Sequence, residues 1–349
     1  MNSTVIAVDL AKDVYEIAIA KTSGKVLERL RLNRTQFLKL LVKREPATVV
    51  LEACGTAHHW GRKASEFGHT VRILPAQYVS PYRQRNKTDK ADTEALIEAN
   101  RRDGITPVPI RSVEEQQILQ IHSLREQWKK TRVQRINGLR ACLREIGFFI
   151  PLGAKSVEPK VRAILSEEDI PVPLAHLYNE LLEEIGNLDA KIKQAEASLK
   201  ALTQNDQRVH LLQQVPGIGI MTSTALVASV GNPHRFSNGR KLASWMGLTP
   251  SERSSGTRRH LGRISKRGDS YLRMLIIHGS RAVLNRAKIC KRNGEPLAPL
   301  QKWATQLEQR VGHIKATCAL AKKLARICIE SITLKSGSKK ELMLIEQVS

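Results

Sequence analysis

Three serines share one stretch with a crowd of arginines: Gly247-Leu-Thr-Pro-Ser-Glu-Arg-Ser-Ser-Gly256, then Thr-Arg-Arg-His-Leu-Gly-Arg-Ile-Ser-Lys-Arg-Gly-Asp269. Arg253, Arg258, Arg259, Arg263, Lys266, Arg267 and Arg273 lie in or just beyond it, against only Glu252 and Asp269. A guanidinium neutralises and orients a phosphodiester, and a hydroxyl beside it either donates to the phosphate or attacks it. No apolar period of 2 or 3.6 crosses the segment, so it reads as a polar, glycine-punctuated loop rather than a core element. The plainer use of such a loop is to grip a nucleic-acid backbone, where most hydrogen bonds go to phosphate and sugar.

Four acids stand at a second chemically interesting set of places. Asp9 lies inside the apolar run Thr-Val-Ile-Ala-Val-Asp-Leu at residues 4–10, where a carboxylate is costly unless paired or metal-bound. Glu52 ends the run Val49-Val-Leu-Glu52. Asp89 and Asp92, in Thr88-Asp-Lys-Ala-Asp92, are spaced i, i+3 and share one face at a helix start. Hard oxygen donors on strand ends and a helix suit one or two Mg²⁺ ions rather than zinc. Paired metals about 3.5–4 Å apart activate a nucleophile and stabilise a leaving oxygen at phosphorus. Plainer roles exist for Asp89 and Asp92, which favour a helix N-terminus through the macrodipole, and for Glu52 as a surface strand end. Asp9 has no such simple role.

The elements that must position these groups follow from the apolar pattern. Residues 4–10, 14–20, 25–32, 47–51 and 70–74 read as strands, and 35–43, 58–67 and 90–102 as helices, the last opened by Thr88 as N-cap. Strands alternating with helices make an α/β domain with a mixed sheet. Residues 103–109 read as a linker. Long helices are expected over 113–147 and 174–202, with an irregular stretch at 151–173 between them. Their near-heptad spacing fits an antiparallel helical hairpin, an oligomerising coiled coil or plain core packing. Pro216-Gly-Ile-Gly219 then turns between two helical patterns. Pro216, Gly217 and Gly219 leave backbone amides at a helix start, the helix-hairpin-helix pattern that binds phosphate. Helices resume at 238–246, 270–288, 299–309 and 312–331, and the tail from Lys335 reads as frayed.

The chain of 349 residues holds 57 Lys and Arg against 33 Asp and Glu, a formal charge of +24, which points to a polyanion partner. Residues 206–335 carry 23 of the bases and 6 of the acids, so +17 of the excess lies there. Its length allows about two or three domains. No secretory leader and no 18-residue uncharged apolar run are seen, so no membrane contact is expected. Five scattered cysteines (Cys54, Cys142, Cys290, Cys318 and Cys328) with no CxxC pair fit reduced thiols in cytosol and make zinc improbable.

Acid on the first strand, acid ending the fourth and acids on a later helix resemble the ribonuclease-H-like (RuvC-like) superfamily. With the serine segment on the same chain, the sequence resembles the DEDD insertion-sequence transposases named after insertion sequence 110, and most of all the branch named after insertion sequence 1111. The resemblance runs from Ile6 to about Ile332. It rests on Ala-Val-Asp9-Leu-Ala-Lys, Leu-Glu52-Ala-Cys-Gly, Lys-Thr-Asp89-Lys-Ala-Asp92, Val-Pro-Gly-Ile-Gly, Gly-Leu-Thr-Pro-Ser-Glu-Arg-Ser-Ser-Gly and Ile-Ser-Lys-Arg-Gly-Asp. It implies a RuvC-like domain at 1–108, a helical coiled-coil region at 109–205, a helical serine transposase domain at 206–335 and a flexible tail at 336–349. It implies Asp9, Glu52, Asp89 and Asp92 on Mg²⁺, and Ser255, directly before Gly256, as nucleophile, with Ser254 its near alternative. It further implies a bacterial cytoplasmic recombinase, associated with the nucleoid when bound to DNA. The partners would be donor and target DNA, a non-coding guide (bridge) RNA, and other copies in a dimer or tetramer, the acids of one protomer joining the serine of another. A metal-dependent, structure-specific nuclease using water and a non-enzymatic architectural protein are the other function classes.

Overall fold

The computed structural model describes residues 4–83 and 88–333, and it divides into two compact units between Val113 and Glu114. The first unit runs β1 (Thr4–Leu10), β2 (Val14–Lys21), β3 (Val26–Asn33), α1 (Arg34–Lys43), β4 (Thr48–Glu52), α2 (Ala57–Glu66), β5 (Thr70–Leu74), α3 (Ala76–Val79) and α4 (Asp89–Asn100). One mixed sheet has the order β3-β2-β1-β4-β5. The pairs β1–β2 and β2–β3 are antiparallel, whereas β1–β4 and β4–β5 are parallel. The central strands are apolar on both faces because helices cover both faces. Ile6, Val8, Val49 and Leu51 pack with Phe37, Leu41 and Trp60 from α1 and α2. Val5, Ala7 and Val50 pack with Ala95, Leu96 and Ala99 of α4. Side chains alternate along a strand, so this pattern continues Asp9 and Glu52 onto the α4 face.

The second unit begins with α5 (Val113–Glu145), α6 (Val157–Glu167) and α7 (Val172–Leu202). Arg125 pairs with Glu196 at 2.6 Å, Arg132 with Asp189, and Arg135 with Glu184 at 2.7 Å. Numbers rise along α5 as they fall along α7, so the two are antiparallel partners within one chain. Ile136, Leu139 and Leu143 meet Tyr178, Leu182 and Ile185, and Val157, Val161 and Ile164 of α6 close the same cluster. Helix α6 corrects the expectation of an irregular stretch at 151–173. Pro159 falls in its first turn, where no backbone donor is needed, so the proline does not break it.

The remaining elements are α8 (Gln207–Gln213), α9 (Ile220–Val230), α10 (Gly239–Trp245), β6 (Pro250–Glu252), β7 (Leu261–Ile264), α11 (Ser270–Arg292), α12 (Pro299–Val311) and α13 (His313–Thr333). Their core gathers Leu212, Leu226, Leu242, Leu272, Leu284, Leu300, Leu320 and Leu324. The expected all-helical region thus contains a two-stranded antiparallel sheet, and it is built from the serine segment itself. The expected tail at 336–349 lies outside the described residues. Among those residues no helix is long and apolar enough to cross a membrane. All five cysteines are free thiols.

Candidate active site

The structure sets the four acids around the carboxyl ends of β1 and β4, near enough for Asp92, Asp89 and Glu52 to act on the charge of Asp9. These strands pair in parallel through Val8 opposite Leu51, and the next step of that register sets Asp9 beside Glu52. Helix α4 supplies the other two. Thr88 caps it as the sequence predicts, its Oγ1 accepting from the Ala91 N–H at 3.2 Å. The first turn then carries Asp89, exposed, and Asp92, only 6 % exposed. Asp9 is half-buried near the end of β1. Burial first, then the charges of Asp92, Asp89 and Glu52, push its carboxyl above the usual range, while Arg83 pulls the other way. Sequence reasoning missed Arg83. Its Nη2 lies 3.3 Å from Glu52 Oε2, and its Nε is ion-paired with Asp92.

This set has the donor chemistry of a divalent-cation site: several carboxylates, one nearly buried, repelling one another. The buried Asp92 Oδ1 is in ion-pair contact with Arg83 Nε. Among the described residues, however, no three acidic, His or Cys side chains are gathered closely enough to hold a metal as they stand.

The serine segment forms a ribbon. Strands β6 and β7 pair through Pro250 with Ile264 and Glu252 with Leu261, with a bulge between. Every residue from 250 to 263 is exposed, so no core decides which face is which. At the tip, Ser255 and Arg258 exchange both backbone hydrogen bonds, at 3.2 and 3.1 Å. Gly256 takes φ +56° at the first central position and Thr257 does not follow it. That is the type II′ pattern, which asks for glycine at that place.

The three serines differ in what their hydroxyls do. Ser251 Oγ donates to the Arg263 carbonyl at 3.2 Å. Ser254 Oγ donates to Glu252 Oε1 at 2.7 Å and accepts from the His260 N–H at 3.3 Å. That hydrogen bond, with Arg259 3.1 Å away, holds the Glu252 carboxyl below its ordinary value. The Ser255 hydroxyl makes no hydrogen bond among the described residues, and it sits one position from the tip.

The basic residues also divide. Arg253, Arg258, Arg259, Arg263 and Arg267 are exposed on or beside the ribbon. Lys266, at its base, holds a left-handed φ of +55° and donates its N–H to the Gly247 carbonyl at 3.1 Å. Arg273 is turned inward and donates to the Met246 carbonyl at 2.9 Å, so it props the ribbon's base.

The predicted glycine turn joins α8 to α9. A Cβ on Gly217 would stand 2.5 Å from the Gly279 carbonyl oxygen of α11, so Gly217 serves close backbone packing. Pro216 is half-buried. Gly219 is exposed with open space around it, and α9 begins there without a side-chain cap. Free amides at that end suit an anion.

Comparison with known proteins finds two family models and several relatives. A family model for the DEDD transposase of IS110, described as Transposase, matches residues 6–148. A second, described as Transposase IS116/IS110/IS902 family, matches residues 209–293. A probable family 20 transposase of Pseudomonas aeruginosa is 36 % identical over 330 residues, covering 94 % of this chain and 96 % of its own. The transposase for insertion sequence element IS1111A of Coxiella burnetii is 34 % identical, covering 93 % of this chain and 88 % of its own. The pilin gene-inverting protein of Moraxella bovis is 22 % identical over 275 residues, covering 74 % and 76 %. The chain belongs to the IS110/IS116/IS902 family of insertion-sequence transposases and carries the family's DEDD domain.

Proposed function

We propose that this transposase cuts and rejoins DNA through a covalent link to Ser255, assisted by Mg²⁺ at the acidic cluster. The observation that carries the reading is the sorting of hydroxyls. Ser251 and Ser254 are engaged within the ribbon, and Ser255 is free at its exposed tip among arginines. In the step, Ser255 Oγ forms a bond to phosphorus and one phosphodiester P–O bond breaks. The hydroxyl proton passes to solvent and the departing sugar oxygen takes one up. A sugar hydroxyl from another strand reverses the sequence, so the phosphoserine keeps the bond energy and no ATP is needed. Arg253, Arg258 and Arg259 stabilise the extra charge on the phosphate oxygens.

DEDD-type transposase domains generally depend on a divalent metal. Asp9, Glu52, Asp89 and Asp92 are the residues that would hold it, and it supplies Lewis-acid polarisation of phosphate or leaving oxygen. The sheet order and acid placement support a ribonuclease-H-like (RuvC-like) fold for residues 1–108, followed by an oligomerising helical region at 109–205 and a serine domain at 206–335. The α8–α9 turn is read as a helix-hairpin-helix that grips backbone at Gly219. Guidance by a structured RNA of the element, assembly into dimers or tetramers, and membership of the IS1111 branch rest on the family likeness and on the charge of +24.

The test is capture of the adduct. Protein, element RNA and donor DNA are quenched with denaturant, digested with nuclease and mapped by mass spectrometry. A nucleotide on Ser255 is expected. A nucleotide on Ser254 refutes the assignment, and recombination or cleavage without adduct points to water as nucleophile.

A further inference from the structure

The acidic cluster holds a residue of opposite sign to which the reading above gives no part. Arg83 has 23 % of its side chain exposed, reaches Glu52 with Nη2 and faces Asp92 with Nε. Arg83 Nε and Asp92 Oδ1, both buried, are in direct ion-pair contact. A buried carboxylate needs a compensating charge nearby, and removing one partner is strongly unfavourable. Arg29, another arginine that reaches α4, is committed elsewhere, to Glu94 and Thr93.

Resting on the metal-site reading, we propose that Arg83 is the built-in counter-ion of this cluster, and that a divalent cation enters by exchange with it. The guanidinium bridges Glu52 and Asp92. It leaves when the cation takes their oxygens. Mg²⁺ demands near-ideal octahedral oxygen geometry at about 2.0–2.1 Å, and a guanidinium seated on two of its carboxylates blocks that approach and repels the ion.

The test uses the full chain with Mn²⁺ as probe, free ion being counted by electron paramagnetic resonance. Arg83→Gln should bind Mn²⁺ at least about tenfold more tightly than the unaltered protein, because one like charge beside the ion is gone. Asp92→Asn should abolish that binding. Equal or weaker binding by Arg83→Gln, with Asp92→Asn still abolishing it, overturns the exchange and leaves the metal site standing. If no Mn²⁺ binding responds to Asp9→Asn or Asp92→Asn, the metal-site reading and the exchange fall together. A second measurement keeps the test open should Arg83→Gln not fold. In the unaltered protein, the Arg83 Nε–Hε resonance, identified by its loss in Arg83→Lys, should shift and exchange faster with water as Mg²⁺ is added. An unmoved resonance at saturating Mg²⁺ overturns the proposal.

Discussion

Replacing each ribbon serine by alanine separates a chemical role from a structural one. Among the described residues the Ser255 hydroxyl makes no hydrogen bond, so Ser255→Ala should leave the fold intact, and its melting curve should match the unaltered protein. The loss falls on chemistry alone. Without a nucleophile, cleavage should drop to background, a fall of more than about 10⁴-fold, against the 10⁶-fold or larger accelerations enzymes reach. Ser254→Ala breaks the 2.7 Å bond to Glu252 and the 3.3 Å bond from His260, both on an exposed ribbon. Exposed hydrogen bonds contribute little, so the tip loses some order and the rate falls by no more than about tenfold. Ser251→Ala, which loses one bond to a carbonyl farther from the tip, should fall less still. The assay is single-turnover cleavage of labelled donor DNA with element RNA and Mg²⁺ at saturating protein, with gel-shift binding as control. Retention of more than about a tenth of the rate by Ser255→Ala, or a Ser254→Ala loss as deep as that of Ser255→Ala, refutes the reasoning.

Four further outcomes are expected. His122 is buried between Tyr271 Oη and Thr224 Oγ1, both at 2.9 Å, and burial pushes its pKa down to about 4. The unfolded chain takes up that proton below its ordinary value of about 6.5, so stability present above that pH is lost as pH falls toward 4, by about 3 kcal/mol; urea unfolding across that window should show it, and His122→Gln should flatten it. Gly217→Ala would force its Cβ to 2.5 Å from the Gly279 carbonyl, costing about 1–3 kcal/mol on thermal melting. Leu139→Ala, in the α5–α7 seam, should cost about 2–5 kcal/mol, whereas Leu124→Asp, 45 % exposed, should leave the melt unchanged and dissociate copies in light scattering. DNA affinity should fall by roughly 0.9 log units per log unit of salt for each phosphate neutralised, and a flat salt profile would contradict a backbone-gripping surface.

The sheet and its helices were legible because β-branched runs and 3.6-residue periods are what burial on two faces requires. Asp9 and Glu52 stood out for a related reason: one is a charge inside an apolar run and the other ends one. Arg83 could not, since one more arginine in so basic a chain carries no period and its partners lie on β4 and α4. The ribbon was read as a loop because nearly all its residues face solvent, and alternation is visible only when one face is buried. For that reason too, the sequence does not distinguish Ser254 from Ser255, and the bond from Ser254 to Glu252 is what sets the two apart in the structure. The long helices gave their seam but not their partner, because a heptad pattern is the same whichever chain fills it. The α5–α7 ion pairs decide that question for the chain itself.

Those paired helices are also a measuring rod. Helix α5 has 33 residues and α7 has 31. At 1.5 Å per residue they form a beam about 45–50 Å long, as long as about fourteen base pairs stacked at 3.4 Å. Interlocking side chains and Arg–acid rungs at three levels resist bending and sliding. Removing one heptad from each arm would preserve the facing stripe and shorten the beam by about 10 Å, or three base-pair steps.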